Sequence, residues 1–344
     1  MPRRTLTWGR SCSRKMSAAE CQPENVGCIR QLTVAALAVC FVVGVLGNGL
    51  VLWMTLFRMA RTVPTVWFFN LALADFSLSL SLPVAINHVA SGKWLLKNAL
   101  ACKCYMAFLV LTFLTSIWLL VLISVDRCVS VLYPVWARNH RTAPRAVRLA
   151  CGVWLLAAAM CAPHLIFRTT RTWKGCEHCY FEFTLGSESA QNRSAGLWGR
   201  QVAVIVPYFL LGFLVPLVII GACAYLIRAK LRREGWVHAR RPRRLLLVLV
   251  SAFFAFWFPF NMMLLVQMGR LMDPMEPHFP RMLLLLWATF SLGCFNSSLN
   301  PFLYVFIGRD FQEKFFQSLP SVLARAFGEE GFLSSCPRGE VPRG

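Results

Sequence analysis

Seven long segments of this chain carry no charged residue or only one, and this feature restricts its fold more than any other. A helix needs about 20 residues to cross roughly 30 Å of bilayer hydrocarbon. Lipid offers no hydrogen-bond partner to the backbone, so only helices and closed β-barrels cross a membrane. None of these segments shows the alternation of apolar and polar residues that a barrel strand needs. The sequence therefore predicts an all-α membrane protein with a seven-transmembrane helix bundle. The segments are 31–57, 62–92, 104–125, 149–167, 201–227, 245–269 and 282–308.

The composition excludes the other broad classes of chain. Hydrophobic residues make up 57% of the sequence and charged residues only 15%, whereas ordinary soluble domains contain about 25% charged residues. So much apolar surface is also incompatible with a disordered chain. The organisation expected is an N-terminal segment over 1–30, a membrane domain over 31–307 and a tail over 308–344. The first 30 residues lack an apolar stretch, so no cleaved signal peptide is expected.

The basic residues predict which side of the membrane each loop faces. The loops after the first, third and fifth segments hold fifteen Lys and Arg against two acids, Asp126 and Glu234. The opposite loops hold ten basic residues and five acids. We therefore expect a plasma-membrane protein with its N-terminus outside, although six basic residues before the first segment weaken the bias. Contact with anionic lipid accounts for the basic loops, so no nucleic-acid partner is expected.

Two covalent features are expected on the outer side. The sequon Asn192-Arg193-Ser194 predicts glycosylation of Asn192. Seven of the 14 cysteines lie in or near outer segments, where disulfides are stable. The expected bridge joins Cys102 to Cys179, and Cys176 is the rival partner of Cys102.

One acidic side chain, Asp75, lies within the apolar part of a predicted span. An ionisable residue at membrane depth is expensive and points to function. A carboxylate with hydroxyl and amide oxygens suits a sodium ion, which is the one cofactor expected; the alternative is a polar clamp between helices. The polar residues expected to face Asp75 are Ser116, Asn296, Ser297 and Asn300.

Prolines interrupt five of the predicted helices, and one of them lies in an aromatic cluster. Pro259 follows Phe253, Phe256 and Trp257 and precedes Phe260. Proline removes a backbone hydrogen bond and kinks a helix. The pattern predicts a hinge under an aromatic cluster, with plain core packing as the alternative.

Short motifs recur in order along the seven segments. They are Gly47-Asn48, Leu71-Ala72-Leu73-Ala74-Asp75, Cys102, Asp126-Arg127-Cys128, Trp154, Pro216, Phe256-Trp257-Phe258-Pro259 and Asn300-Pro301-Phe302-Leu303-Tyr304. From residue 30 to about 320 the chain resembles a rhodopsin-class (class A) G-protein-coupled receptor. Asp-Arg-Cys, the run Pro134-Val135-Trp136-Ala137 and the short third cytosolic loop resemble the chemoattractant branch. That branch includes formyl-peptide and lipid-mediator receptors, and the chain closely resembles the receptors for D-series resolvins.

The resemblance implies roles for several residues. Arg127 is expected to leave Asp126 on activation and to contact a heterotrimeric G protein, of the inhibitory type, with arrestin as a further partner. Trp257 above Pro259 resembles the family's rotamer switch. The family's second switch, in the seventh span, corresponds to Asn300, Pro301 and Tyr304. A short amphipathic eighth helix is expected after residue 308.

The chain also departs from the family pattern. Ala224 stands where the family usually has Tyr, and Phe256 replaces the Cys before Trp257. Residues 235–269 contain no Asp or Glu, so the acidic clamp on Arg127 that many family members have at the base of the sixth span is absent. We therefore expect appreciable signalling without ligand.

The expected ligand is a small lipid acid. The resemblance places an apolar pocket at the outer side. Amine receptors have an acidic residue at mid-depth on the third span, but Val110 occupies that position here. Arg168 is the preferred carboxylate anchor and Arg281 a further rim cation, although each could be a solvated loop charge. The charged positions that formyl-peptide receptors use are uncharged here, which weakens a peptide-receptor reading without excluding it. The other expected lining residues are Tyr105, Met106, Tyr208, Asn261, Leu264, Trp287 and Phe290.

Other function classes fit less well. No nucleophile–base pair or metal cluster points to an enzyme. Segment 282–308 lacks the Lys that a retinal-binding light sensor needs, and the chain has no repeat of the transporter kind. A non-signalling scavenger receptor remains an alternative because Ala224 departs from the signalling pattern.

Overall fold

The computed structural model describes residues 26–96, 98–173, 176–183, 190–233, 240–269 and 279–307. Within them, helices dominate and one two-stranded hairpin lies between α6 and α7. The helices are α1 (Gly27–Phe57), α2 (Val63–Ser91), α3 (Ala99–Leu132), α4 (Pro134–His140), α5 (Ala143–Met160), α6 (Ala162–Phe167), α7 (Ala190–Phe209), α8 (Val215–Arg233), α9 (Arg240–Gly269) and α10 (Phe279–Ile307). The strands are β1 (Arg168–Trp173) and β2 (Cys176–Phe181).

The predicted fold class is confirmed. Six helical stretches are long and apolar enough to cross a membrane, and Ser251–Val266 within α9 is a shorter apolar helix. Together they are consistent with a seven-helix bundle and a multi-pass membrane protein. The expected amphipathic helix after residue 308 lies outside the described residues.

Local sequence explains where α2 and α3 begin. Thr62 and Thr65 form a capping box: the Thr65 amide donates to Thr62 Oγ1 (3.4 Å) and the Thr62 amide to Thr65 Oγ1 (2.7 Å). The amide of Leu100 donates to Asn98 Oδ1 at 2.8 Å and so caps α3. At the other end of α2, Gly92 adopts φ 68°, a left-handed conformation that stops the helix.

Two predicted spans are not continuous α-helices. The segment 149–167 breaks at Cys161, because Pro163 follows at the start of α6. The segment 201–227 contains a π-helical turn, Leu210–Leu214, directly before Pro216. The break at Cys161 lies at the end of the bundle that carries the hairpin, which we call the hairpin end.

The hairpin is fixed to the bundle through α3. Its strands pair antiparallel, with Arg168 opposite Phe181 and Thr170 opposite Cys179. A disulfide joins Cys179 to Cys102 in α3. The structure thus contains the expected bridge and excludes Cys176 as the partner of Cys102. As a result, the position of β2 over the helix bundle is set covalently.

Candidate ligand cavity and polar core

A cavity lies among α3, α6, α7, α9 and α10 beneath the hairpin, and its interior together with the open space at its mouth measures about 1060 Å³. Its size suits a small organic ligand. Most of its wall is apolar or aromatic, including Leu109, Phe113, Phe260 and Leu283. Seven of the residues expected to bind ligand line it: Met106, Arg168, Tyr208, Asn261, Leu264, Trp287 and Phe290.

Two residues expected in the lining lie elsewhere. The hydroxyl of Tyr105 donates to the carbonyl of Ser81 in α2 at 3.1 Å, and its ring packs near Trp94. Successive helical residues differ by about 100° in direction, so Met106 faces the cavity while Tyr105 faces α2. Arg281 is exposed at the start of α10 and is not among the lining residues.

Arg168 is buried at the cavity wall and has no acidic partner among the described residues. Its side chain is 9% exposed, and its Cζ lies 4.0 Å from the centre of the Phe181 ring. Nη1 donates to the carbonyl of Cys179 at 3.4 Å, whereas Nε has no hydrogen-bond partner within the described part of the chain. Burial lowers the pKa of the Arg168 guanidinium to about 10, so it stays charged at neutral pH. A buried, partly unsatisfied cation favours an anionic ligand.

Sequence reasoning missed five aromatic or polar wall residues: Phe183, Phe260 and the three described next. His164 and Phe181 line the cavity beside Arg168. His164 precedes Arg168 by four residues, and that helical spacing is a signal that could have been used. No local signal predicts Phe181, because the fold of the hairpin brings it to the wall. Phe113 is the third missed residue, and it lies at the cavity floor.

The floor of the cavity rests on the expected rotamer switch. The Phe113 and Trp257 rings lie edge to face, with centroids 3.7 Å apart. Asn261 Nδ2 donates to the carbonyl of Trp257 at 2.9 Å. Trp257 is 1% exposed and packs on Gly293, where a Cβ would lie only 2.6 Å from its Cζ3. A ligand at the floor would therefore press on a tightly enclosed tryptophan.

A second, polar centre surrounds Asp75, which is fully buried. Asn300 Nδ2 donates to Asp75 Oδ2 at 2.7 Å, and Ser116 and Ser297 lie beside the carboxylate. Asp75 Oδ1 and Asn300 Oδ1 have no hydrogen-bond partner of normal geometry within the described part of the chain. Asn296, the remaining residue expected near Asp75, is buried, and its Nδ2 has no partner among the described residues. The unused oxygens fit a small hard cation, while the Asn300–Asp75 bond alone is a polar clamp.

The far end of the bundle, opposite the hairpin, holds the Asp126-Arg127 motif. Asp126 pairs with Arg141, not with its neighbour Arg127: Arg141 Nε lies 2.6 Å from Asp126 Oδ1. Within the described ranges Arg127 forms no ion pair.

In α8, Ala224 is buried whereas Tyr225 is 71% exposed, so Tyr225 does not replace the missing family tyrosine. Tyr304 lies in α10, three residues after Pro301.

Comparison with known families agrees with this arrangement. The sequence profile described as "7 transmembrane receptor (rhodopsin family)" matches residues 47–304. The chain belongs to the rhodopsin family of seven-transmembrane receptors. The receptor is thus a member of a non-enzyme family that couples to G proteins and responds to small ligands.

Individual relatives place the receptor within a branch. It is 65% identical over 338 residues to the human "Probable G-protein coupled receptor 32", covering 98% of this chain and 95% of that protein. It is 40% identical to the chimpanzee (Pan troglodytes) "N-formyl peptide receptor 3" over 85% of this chain and 84% of that one. It is 39% identical to the human "N-formyl peptide receptor 2", over 88% and 87% respectively. The receptor is therefore of the chemoattractant type.

Proposed function

We propose that the receptor recognises a lipid mediator derived from a polyunsaturated fatty acid, of the resolvin kind, and controls inflammation and chemotaxis. It signals through inhibitory-type G proteins and is desensitised by arrestin. In this proposal it lies in the plasma membrane with the hairpin end and the N-terminus outside. The arginine-rich loops at the far end then face the cytosol, in keeping with the positive-inside rule.

The observation that carries the proposal is Arg168, a buried guanidinium at the wall of an otherwise apolar cavity. A fatty acid matches both properties, because its chain buries apolar surface and its carboxylate accepts hydrogen bonds from the guanidinium. The free Nε gives such a carboxylate a donor without breaking an existing bond. Val110 and Leu109 on α3 offer no acid to an amine ligand.

The polar core supports a sodium ion as an allosteric cofactor. Asp75 supplies the charge, and the oxygens of Ser116, Ser297 and Asn300 complete the donor set. A bound cation would hold α2, α3 and α10 together and so oppose their rearrangement. The ion is thus proposed to favour the inactive state of the receptor.

A glycan on Asn192 also belongs to the proposal. Asn192 lies in α7 near its start, and this part of the chain belongs to the hairpin end. With that end outside the cell, the sequon is accessible to the glycosylation machinery.

A peptide ligand is the second candidate. It is favoured by the two formyl-peptide receptor relatives, which share about two fifths of their sequence with this chain. Exposed cations at the rim, such as Arg171 and Arg281, would then dock the peptide. Against it stands the apolar wall, which contains one buried cation and no described acid.

The test is a G-protein dissociation assay in cells, comparing hydroxylated polyunsaturated fatty acids with formylated peptides. Wild type, Arg168→Ala and the rim control Arg171→Ala are compared at equal surface expression. A response to the acids that Arg168→Ala weakens by about tenfold or more, and Arg171→Ala leaves intact, supports the lipid proposal. A response to peptides alone contradicts it.

Silence toward both ligand classes, at normal surface expression, would favour a scavenger receptor. Arrestin recruitment and ligand uptake distinguish that outcome. A scavenger would internalise the acid without dissociating a G protein.

A further inference from the structure

We propose that His164 is a second anchor for the anionic group of the ligand, so that the carboxylate is held jointly by Arg168 and His164. The inference rests on the proposed function and extends it, because it names the residue that takes the second carboxylate oxygen. It makes the free acid the recognised species and predicts that an ester or amide of the same chain binds poorly.

The two side chains are neighbours on one surface. His164 and Arg168 are four residues apart, and the amide of Arg168 donates to the carbonyl of His164 as the cap of α6. Arg168 therefore lies one helical turn beyond His164, at the point where α6 passes into β1. Both side chains also contact one ring: the Phe181 centroid lies 4.0 Å from Arg168 Cζ and 4.8 Å from the His164 ring centre.

Both side chains hold an unused, buried hydrogen-bonding atom at the same wall. His164 is 6% exposed and lines the cavity, and its Nδ1 has no hydrogen-bond partner among the residues that the structure describes. Arg168 Nε is unpartnered in the same way. A buried polar atom without a partner costs about 1–3 kcal/mol, and few such atoms occur in native proteins. A polar ligand group at this wall would supply the partner that both atoms lack.

The surroundings leave an anion as the matching group. Phe181 and Tyr208 enclose the His164 ring, with the Tyr208 ring centre 5.5 Å away. The Tyr208 hydroxyl is already committed, because it donates to the carbonyl of Met160. Arg168 contributes a positive charge and no described acid compensates it. A cationic or purely donating ligand group would meet Arg168 unfavourably, whereas a carboxylate accepts from Arg168 Nε–H and His164 Nδ1–H together.

A structural role for His164 makes a different prediction. If the ring only fills space between Phe181 and Tyr208, Phe should replace it without loss. If His164 Nδ1 donates to the ligand, Asn should replace His164 without loss, because the side-chain N–H of Asn reaches a position close to that of Nδ1–H. The pair of substitutions therefore separates packing from hydrogen bonding.

The experiment measures competition binding and G-protein dissociation for full-length receptor in cell membranes. The probes are a hydroxylated docosahexaenoic acid and its methyl ester. The variants are His164→Phe, His164→Asn, Arg168→Gln and a double variant that combines His164→Phe with Arg168→Gln. His88→Phe is the matched control, because His88 is equally buried but lies outside the cavity lining and its Nδ1 contacts the Lys93 carbonyl.

The expected result is specific to the acid. His164→Phe should lower the affinity for the acid about ten- to hundredfold, since a hydrogen bond to a charged group is lost. His164→Asn should retain most of the wild-type affinity for the acid, and His88→Phe should leave that affinity unchanged. The affinity for the ester should hardly respond. In the double variant the two losses should be less than additive, because both residues bind one group.

Two outcomes overturn the inference. If the acid binds with full affinity to His164→Phe while Arg168→Gln loses it, the proposed function stands and His164 is only a packing residue. If both probes lose affinity equally in His164→Phe, the residue shapes the cavity and does not bind the anion. Failure of the acid on the wild-type receptor instead contradicts the proposed function itself. Surface expression and thermal stability of each variant separate these results from misfolding.

Discussion

Arg141 holds both carboxylate oxygens of Asp126: its Nε lies 2.6 Å from Oδ1 and its Nη2 lies 2.7 Å from Oδ2. Arg141 follows α4, so the acid next to Arg127 is bound by a residue 15 positions further along the chain. A carboxylate engaged bidentately by one guanidinium has little capacity left for a second. Arg127 is thus released from its neighbour without any ligand. The absence of Asp and Glu from residues 235–269 removes the other expected restraint.

Replacing Arg141 should therefore lower ligand-free signalling. In Arg141→Ala, Asp126 becomes available to Arg127 and can hold it in the inactive position. The pair is partly exposed, with side chains 28% and 11% accessible, so a contribution of about 1 kcal/mol and a roughly fivefold fall are expected. The fall in ligand-free signalling is measured as basal G-protein dissociation at matched surface expression.

The control for this substitution is Arg138→Ala, which removes an exposed arginine from α4. It should leave basal signalling unchanged. Unchanged or increased basal signalling in Arg141→Ala would refute the role of the Arg141–Asp126 pair.

Sodium should weaken agonist binding through Asp75. Replacing choline chloride with sodium chloride at constant ionic strength should lower agonist affinity in the wild type, and Asp75→Asn should abolish the difference. The measurement is competition binding in membranes in each salt. Should wild type show no sodium effect while Asp75→Asn loses thermal stability, the Asp75–Asn300 contact is a polar clamp only.

The disulfide should be needed to position the cavity wall. Cys102→Ser frees β2, which carries Phe181 and the carbonyl that accepts from Arg168. We expect a loss of about 2–5 kcal/mol in stability and loss of ligand binding. Cys104→Ser is the matched control, because Cys104 is exposed, free and two residues away. Thermal unfolding in detergent and ligand binding report the effect, and equal behaviour of the two variants would contradict it.

Trp257 should be sensitive to a single methyl group on α10. In Gly293→Ala the new Cβ would lie 2.6 Å from Trp257 Cζ3, so the indole must move. Overpacking of this kind costs about 1–3 kcal/mol, and we expect lower thermal stability together with a changed maximal agonist response. Gly221→Ala is the control, since nothing lies within 4 Å of a Cβ there. A Gly293→Ala receptor with wild-type stability and response would show that Trp257 is not tightly held.

Acid should destabilise the hairpin through His178. Burial lowers the pKa of His178 to about 4, and the neighbouring His88 adds to this effect. An unfolded chain with a pKa near 6.5 binds the proton more readily than the folded receptor. The free energy of unfolding should therefore fall between pH 6.5 and 4, by up to about 3 kcal/mol, and be unaffected above that range.

The measurement for His178 is thermal unfolding in detergent from pH 7.5 to 4. His178→Phe should flatten the pH dependence relative to wild type, because Phe takes up no proton. Parallel curves for the two proteins would count against this origin of the acid sensitivity.

Much of this architecture could be predicted from the sequence because the signals are local. Apolar runs of about 20 residues identify the spans irrespective of their partners. The isolated charge of Asp75 marks the polar core, and Asn300 does contact it. The resemblance to the receptor family, rather than a local signal, placed Met106, Trp287 and Phe290 at the cavity.

The remaining features depend on how separate elements meet. Tyr105 turns toward Ser81 because of the rotation of α3 in the bundle, and Phe181 reaches the cavity because the hairpin folds back over it. Asp126 pairs with Arg141 because the chain after α4 returns beneath α3. Hydropathy reports the environment of each residue, but not which side chain of a distant element will meet it. The seven spans and their polar residues thus follow from the chain itself, whereas packing between elements selects the partners of Asp126 and Arg168.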